Sequence, residues 1–342
     1  MKTLLITFLI FCSLSGLVAQ EVRPVRDSIG YCWNAEQMNR LITYVETKDR
    51  GSVPQQSFIA GISPHDDFLY AASVYYPLFQ SFRTKEVVIF GVTHATVRKE
   101  IGDPQNILLL EEYKEWAGCG RNIAISPLRD YLRSRLDTQY FRVNNQAHRL
   151  EHSIEAMVPW LQYFNPDIHI TPIMVTAMPF ERMDEISKNL SEALVTYIKE
   201  NKLVPGKDIF FLYSSDANHY GKDFNNVPFG DDSIAHAEGT KRDRQIADKY
   251  LAGAIQSEKI RNFTLEMKNF VWCGKFSVPF GLLATQKTLQ LLSGKTLTGI
   301  IFRYSDSYTE GIIPLKQTGM GTTAPFSLKH WVGYLSAGYF ME

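Results

Sequence analysis

Several residues able to do chemistry stand directly after short apolar runs. His65 closes Gly61-Ile62-Ser63-Pro64-His65, His94 closes Gly91-Val92-Thr93-His94, and Asp216 and His219 lie in Ser214-Ser215-Asp216-Ala217-Asn218-His219. An imidazole offers a metal a nitrogen lone pair or relays a proton near neutral pH, and a carboxylate can move protons beside it. Cys273 follows Phe270-Val271-Trp272 and precedes a helical pattern. A thiolate near a helix start is stabilised, and a metal lowers its pKa further. In Glu151-His152-Ser153-Ile154-Glu155, His152 and Glu155 lie three apart and would share a helical face. A carboxylate there would fix the imidazole tautomer, while Ser153 could cap the helix. Plainer roles compete: Asp216 could cap a turn, His219 could bond to backbone, and Cys273 could be a buried, unreactive thiol. His148 has no evident role, and His169 and His236 read as structural or surface residues. Asp66 and Asp67 read as an exposed acidic pair that would make the surroundings of His65 more electronegative or supply another oxygen ligand.

These groups could meet only if the elements before them share an edge. Residues 57–62 read as a short strand, and KEVVIFGV at 85–92 as a strand covered on both faces. His169 to Val175 and Asp208 to Tyr213 repeat that character, and Leu297 to Phe302 and Trp331 to Tyr339 are later strands. Helical patterns fall at 69–80, 153–164, 181–199, 241–256 and 279–292, with Pro159 expected to kink the second. An earlier helix begins near Asn34, its apolar side formed by Met38, Leu41, Ile42 and Val45. Strands alternating with helices predict an α/β fold with a mixed or parallel central sheet and helices on both faces. Such sheets bind ligands at the carboxyl ends of their strands, where His65, His94 and Asp216 fall.

The first twenty residues differ from the rest. Met1-Lys2-Thr3, an apolar run from Leu4 to Leu17, and the small or polar residues to Gln20 have the order of a secretory signal peptide. The expected organisation is a signal peptide at 1–20, an N-terminal lead-in at 21–54 and one α/β domain at 55–342. Cleavage predicts export to the periplasm or outside the cell, with no stable membrane span left. The whole chain carries 36 basic and 36 acidic residues, so losing Lys2 leaves a formal charge of −1. That balance, without basic and aromatic interleaving, points away from nucleic acid as a partner. Cys32, Cys119 and Cys273 remain after cleavage. Cys32 and Cys119 are a candidate pair. There is no HExxH, CxxC pair, Walker loop or GxSxG.

Taken in order, Pro64-His65, the Gly-x-x-His ending at His94, Glu-His-Ser-Ile-Glu at 151–155, Ser214-Ser215-Asp216-x-x-His219, Cys273-Gly274 and Gly333-Tyr334-x-x-Ala337-Gly338 resemble the Memo-like family, also named AmmeMemoRadiSam system protein B. The resemblance spans roughly 55–340. It implies a three-layer α/β/α sandwich with a central mixed sheet, like that of class III extradiol dioxygenases. It also implies a pocket with two histidines and a cysteine as metal ligands, which fall on His65, His94 and Cys273. The family's aspartate and histidine fall on Asp216 and His219, and His152 comes at or near the pocket. Copper-dependent redox activity has been proposed for a member. Two positions depart from the pattern: Asp66-Asp67-Phe68 stands where members commonly read Ala-Gly-Tyr, and Ala95 where a second histidine is common.

The expectation is therefore a secreted metal-binding protein holding one transition-metal ion (copper, zinc or iron) and serving as an oxidoreductase on an unknown small-molecule or peptide ligand. Asp216, His219 and His152 would orient substrate or move protons. A zinc hydrolase, a non-enzymatic ligand-binding protein and a metal-handling protein are the alternatives that use the same cleft. A sulfur ligand favours copper or zinc over the iron triad of two histidines and a carboxylate.

Overall fold

A computed structural model describes residues 21–48, 57–80 and 82–342. The signal-peptide expectation at 1–20, with Cys12, and the 54/55 boundary lie outside the described residues. The expected strands form at Ala60–Ser63, Glu86–Val92, His169–Val175, Ile209–Ser214, Leu297–Asp306 and Trp331–Met341. Four of them pair in parallel, in the order His169–Val175, Glu86–Val92, Ile209–Ser214, Ala60–Ser63. Trp331–Met341 then pairs antiparallel with Ala60–Ser63, and Leu297–Asp306 antiparallel with it. The sheet is mixed, and its parallel strands all end on one edge. His65, His94 and Asp216 follow three of those ends within two residues.

Alternation along the Glu86–Val92 strand shows the layers. Val88 and Phe90 belong to one buried apolar cluster, and Val87 and Ile89 to a second on the opposite face. The first face carries the Phe180–Glu200 and Ser277–Ser293 helices, which also pack on each other. The second carries Ala35–Lys48, Phe68–Phe79 and Val158–Phe164. The molecule is thus a three-layer α/β/α sandwich. On the second face Tyr75 and Trp160 stack with ring centroids 5.2 Å apart. Asn34 caps its helix as expected, its Oδ1 accepting from the backbone N–H of Glu36 and Gln37. Met38, Leu41, Ile42 and Val45 are all buried.

Two helical expectations need correction. Residues 153–164 are not one kinked helix. A 3₁₀ turn at Glu155–Met157 comes first, and the α-helix spans Val158–Phe164 with Pro159 in its first turn. Proline costs nothing there, because that N–H would lack a partner in any case, so no kink is needed. The stretch 241–256 is the end of a helix at Ser233–Ile246, then a π turn at Ala247–Leu251 and a two-residue strand at Gly253–Ala254. Gly253, at φ 70, turns the chain out of the helix. Among the described residues no helix is long and apolar enough to cross a membrane.

Candidate metal centre

The strand ends bring His65 and His94 together, and the 270–276 loop delivers Cys273 to them. One ligand atom from each lies within 4.8 Å of the others. Cys273 Sγ is 3.3 Å from His65 Nε2. Two glycines make the approach possible. A Cβ on Gly274 would sit 2.2 Å from the Ser215 side chain, so only glycine lets the cysteine loop lie against that strand end. A Cβ on Gly91 would sit 2.4 Å from Ile154. Its absence lets the 151–155 segment lie on the Glu86–Val92 strand, where Ser153 Oγ accepts from Val92 N at 3.0 Å and donates to Val92 O at 3.1 Å. Ser153 therefore joins two segments and does not cap a helix as expected.

Hydrogen bonding fixes both ligand tautomers. Ser214 Oγ donates to Ser153 O at 2.6 Å, so toward His65 Nδ1, 2.7 Å away, it can only accept. His65 then carries its proton on Nδ1 and presents the Nε2 lone pair to Cys273. His94 Nδ1 lies 2.8 Å from Glu151 Oε1, and an ionised carboxylate only accepts. His94 likewise keeps Nε2 free. Burial, reinforced by the neighbouring His94 and His152, holds His65 well below the ordinary histidine pKa, so it stays neutral. Burial also opposes protonation of His94, but the Glu151 carboxylate overcomes this and raises its pKa. Burial pushes the Cys273 thiol up, and the Asp216 charge adds to that. The Asp216 backbone N–H opposes both by donating to the sulfur at 3.0 Å. A bound cation would stabilise the thiolate directly.

His94, Glu151 and His152 also cluster closely enough to be considered as ligands. Glu151 is already committed, however. Its oxygens accept from His94 N and Nδ1, His152 N and Ser153 N, at 2.8 to 3.0 Å. Burial would raise this carboxyl, but the charge and hydrogen bond of His94 carry it well below the usual range. Glu151 orients His94 from behind, as carboxylates do for metal-bound histidines. The expected pairing of His152 with Glu155 does not occur. Glu155 turns away and forms a fully buried ion pair with Arg23, while also accepting from the backbone N–H of Arg26 and Asp27. The carboxylate beside His152 is Glu151, at 3.4 Å. Sequence spacing favoured Glu155 because it assumed a helix where the chain instead makes a turn.

The remaining candidates surround the three ligands. The His152 ring stacks on His94, centroids 4.6 Å apart, and burial lowers its pKa to about 4. Asp216 Oδ2 is 3.3 Å from His65 Nε2, and its Oδ1 accepts from His65 N. Burial raises the Asp216 carboxyl to about 7. His219 turns Nδ1 toward the carbonyls of Ala217 and Val271, at 3.1 and 3.2 Å, and burial lowers its pKa to about 4. Asp66 and Asp67 are not an exposed pair. Asp66 accepts from Tyr334 OH at 2.9 Å, and Asp67, buried, accepts from the backbone N–H and hydroxyl of Thr323. Burial pushes both carboxyls up, that of Asp67 to about 6.

Two cavities flank the centre. A small one of about 180 Å³ is lined by His65, Asp66, Asp67 and Asp216, with Asp27 and Tyr31 from the lead-in. A larger cleft of about 680 Å³ reaches His94, His152, His219 and Cys273. Arg98, one turn beyond His94, and Lys275 line this cleft, with Phe224 and Phe276 among its apolar walls. Glu151, Ser214, Tyr31 and Arg98 had no assigned role in the sequence. Of these, Glu151 and Ser214 stood inside the quoted motifs, which was the available signal.

The family profile described as Memo-like protein matches residues 29–312. A MEMO1 family protein of Saccharolobus islandicus is 29% identical over 165 residues, covering 46% of this chain and 52% of that protein. One from Metallosphaera sedula is 28% identical over 187 residues, covering 50% and 56%. One from Desulfurococcus amylolyticus is 24% identical over 258 residues, covering 71% and 75%. The chain thus spans about half the length of the first of these relatives. The family profile runs through every strand end and loop that supplies His65, His94 and Cys273, and the chain belongs to the Memo-like protein family.

Proposed function

We propose that this protein is an exported metalloprotein that holds one transition-metal ion on His65 Nε2, His94 Nε2 and Cys273 Sγ, and uses it for redox chemistry on a small molecule bound in the larger cleft. The observation that carries this reading is the close approach of three ligand atoms, with both imidazoles already in the tautomer that points Nε2 inward. Two neutral nitrogens and a thiolate suit copper, and zinc or iron are the other candidates. When bound, the ion would supply one-electron chemistry at a site open to the cleft. Asp216, with its carboxyl at about 7 beside His65, can hold or release a proton near neutral pH. His219 and His152 border the same space and can accept hydrogen bonds from a ligand. The signal-like order of residues 1–20 supports export.

A zinc hydrolase is the second reading, favoured by Asp216 as a general base beside the centre. Elemental analysis of protein purified without added metal separates the two. Copper or iron at one ion per chain supports redox chemistry, and zinc alone supports hydrolysis. Cys273→Ser, nearly the same size, should keep the fold by circular dichroism while bound metal falls by about tenfold or more. Unchanged metal content in that variant would sink the ligand assignment.

A further inference from the structure

Of the three described cysteines, Cys273 sits in the candidate metal centre, and the other two lie on segments that touch each other. Cys32 is buried two residues before Asn34, the cap of the Ala35–Lys48 helix, and Cys119 is half-buried in the turn between the Glu115–Trp116 and Ile123–Ile125 strands. The segments are held together independently of the sulfurs. Gly120 N donates to Trp33 O at 3.1 Å, and a Cβ on Gly120 would lie 3.6 Å from that of Ala35. On the other side, Cys119 N donates to Gln162 Oε1 at 2.7 Å, which fixes the turn on the Val158–Phe164 helix. Both cysteines pack in the same apolar cluster.

We propose that Cys32 and Cys119 form a disulfide that fastens the lead-in to the sheet domain. Cys32 Sγ donates to Asn34 O at 3.3 Å, which holds the thiol at the entry to the lead-in helix, on the segment that Gly120 contacts. The oxidant is a small disulfide of the glutathione class. One cysteine of the pair gives up its proton and attacks it as the thiolate, forming a mixed disulfide and releasing one glutathione thiol. The other then loses its proton, attacks the cysteine sulfur of that mixed disulfide, displaces the second glutathione and closes the Sγ–Sγ bond. Two electrons and two protons leave the cysteine pair, and one oxidised glutathione becomes two thiols. An oxidising compartment, to which the N-terminal leader points, favours the bridged form. The bridge closes a long loop and so restricts the unfolded chain. It also pins the segment that carries Asp27 and Tyr31 into the wall of the small cavity. It does not require that the centre bind metal.

The test equilibrates the full chain with excess oxidised glutathione, alkylates remaining thiols in denaturant and maps peptides by mass spectrometry. The expected product joins the Cys32 and Cys119 peptides, weighs two hydrogens less and leaves Cys273 alone alkylated. Dithiothreitol should lower the melting midpoint by several degrees, and the double variant C32S/C119S should show no such drop. Three alkylated thiols, a bridge to Cys273, or glutathione left on Cys119 would each overturn the proposal.

Discussion

At the residue scale the candidate ligands are held in place by hydrogen bonds from behind. Glu151 accepts four bonds and spends two of them on His94. Glu151→Gln keeps the shape but places an amide N–H₂ where donors already point. Metal affinity should fall by roughly 10- to 100-fold, read by competition with a chelator, with circular dichroism unchanged. Equal affinity in the variant would remove Glu151 from the assembly. That His65 and His94 would meet at one sheet edge was legible from the apolar runs before them, while their ligand roles, with Cys273, rest on the family resemblance. Glu151 was not, because choosing it over Glu155 requires knowing that Arg23, far away in sequence, claims Glu155. Asp66 and Asp67 do stand beside His65 as read, but their burial was not legible, because their partners Tyr334 and Thr323 come from the far end of the chain.

At the scale of elements, positions of strands followed from continuous apolar runs, while the irregular pieces did not. The 151–157 segment looked helical by spacing, yet its backbone is held in a turn by Ser153 on the neighbouring strand and Glu155 on the lead-in. The lead-in is anchored through that turn. Arg23 donates Nε to His148 O at 2.7 Å and Nη2 to Glu151 O at 2.6 Å, and its guanidinium lies 4.4 Å over Trp116. Both Arg23 and Glu155 side chains are fully buried. Glu155→Ala leaves that cation without its counter-charge, so stability should drop by about 3–5 kcal/mol in urea unfolding. A loss under about 1 kcal/mol would mean the lead-in is held mainly by its apolar contacts.

Across the whole molecule, the alternation of strands and helices predicted the layers, and the rule that ligands gather at carboxyl ends predicted the edge. What stayed hidden was the antiparallel Trp331–Met341 strand as the neighbour of Ala60–Ser63, since sheet order depends on long-range pairing. That strand brings Tyr334 to Asp66 and helps enclose the centre. The proposed export has a direct test. Protein recovered from the medium or periplasm of an expressing bacterium should begin near Gln20 or Glu21 by N-terminal sequencing. Recovery only from the cytosol with Met1 retained would refute secretion.

The two cavities share His94, His152 and His219, while Asp66, Asp67 and Asp216 line the smaller alone and Arg98 and Lys275 the larger alone. A guest lying across those histidines would therefore meet carboxyls toward one end and two cations toward the other, so a molecule with its negative charge at a single end would have a preferred orientation.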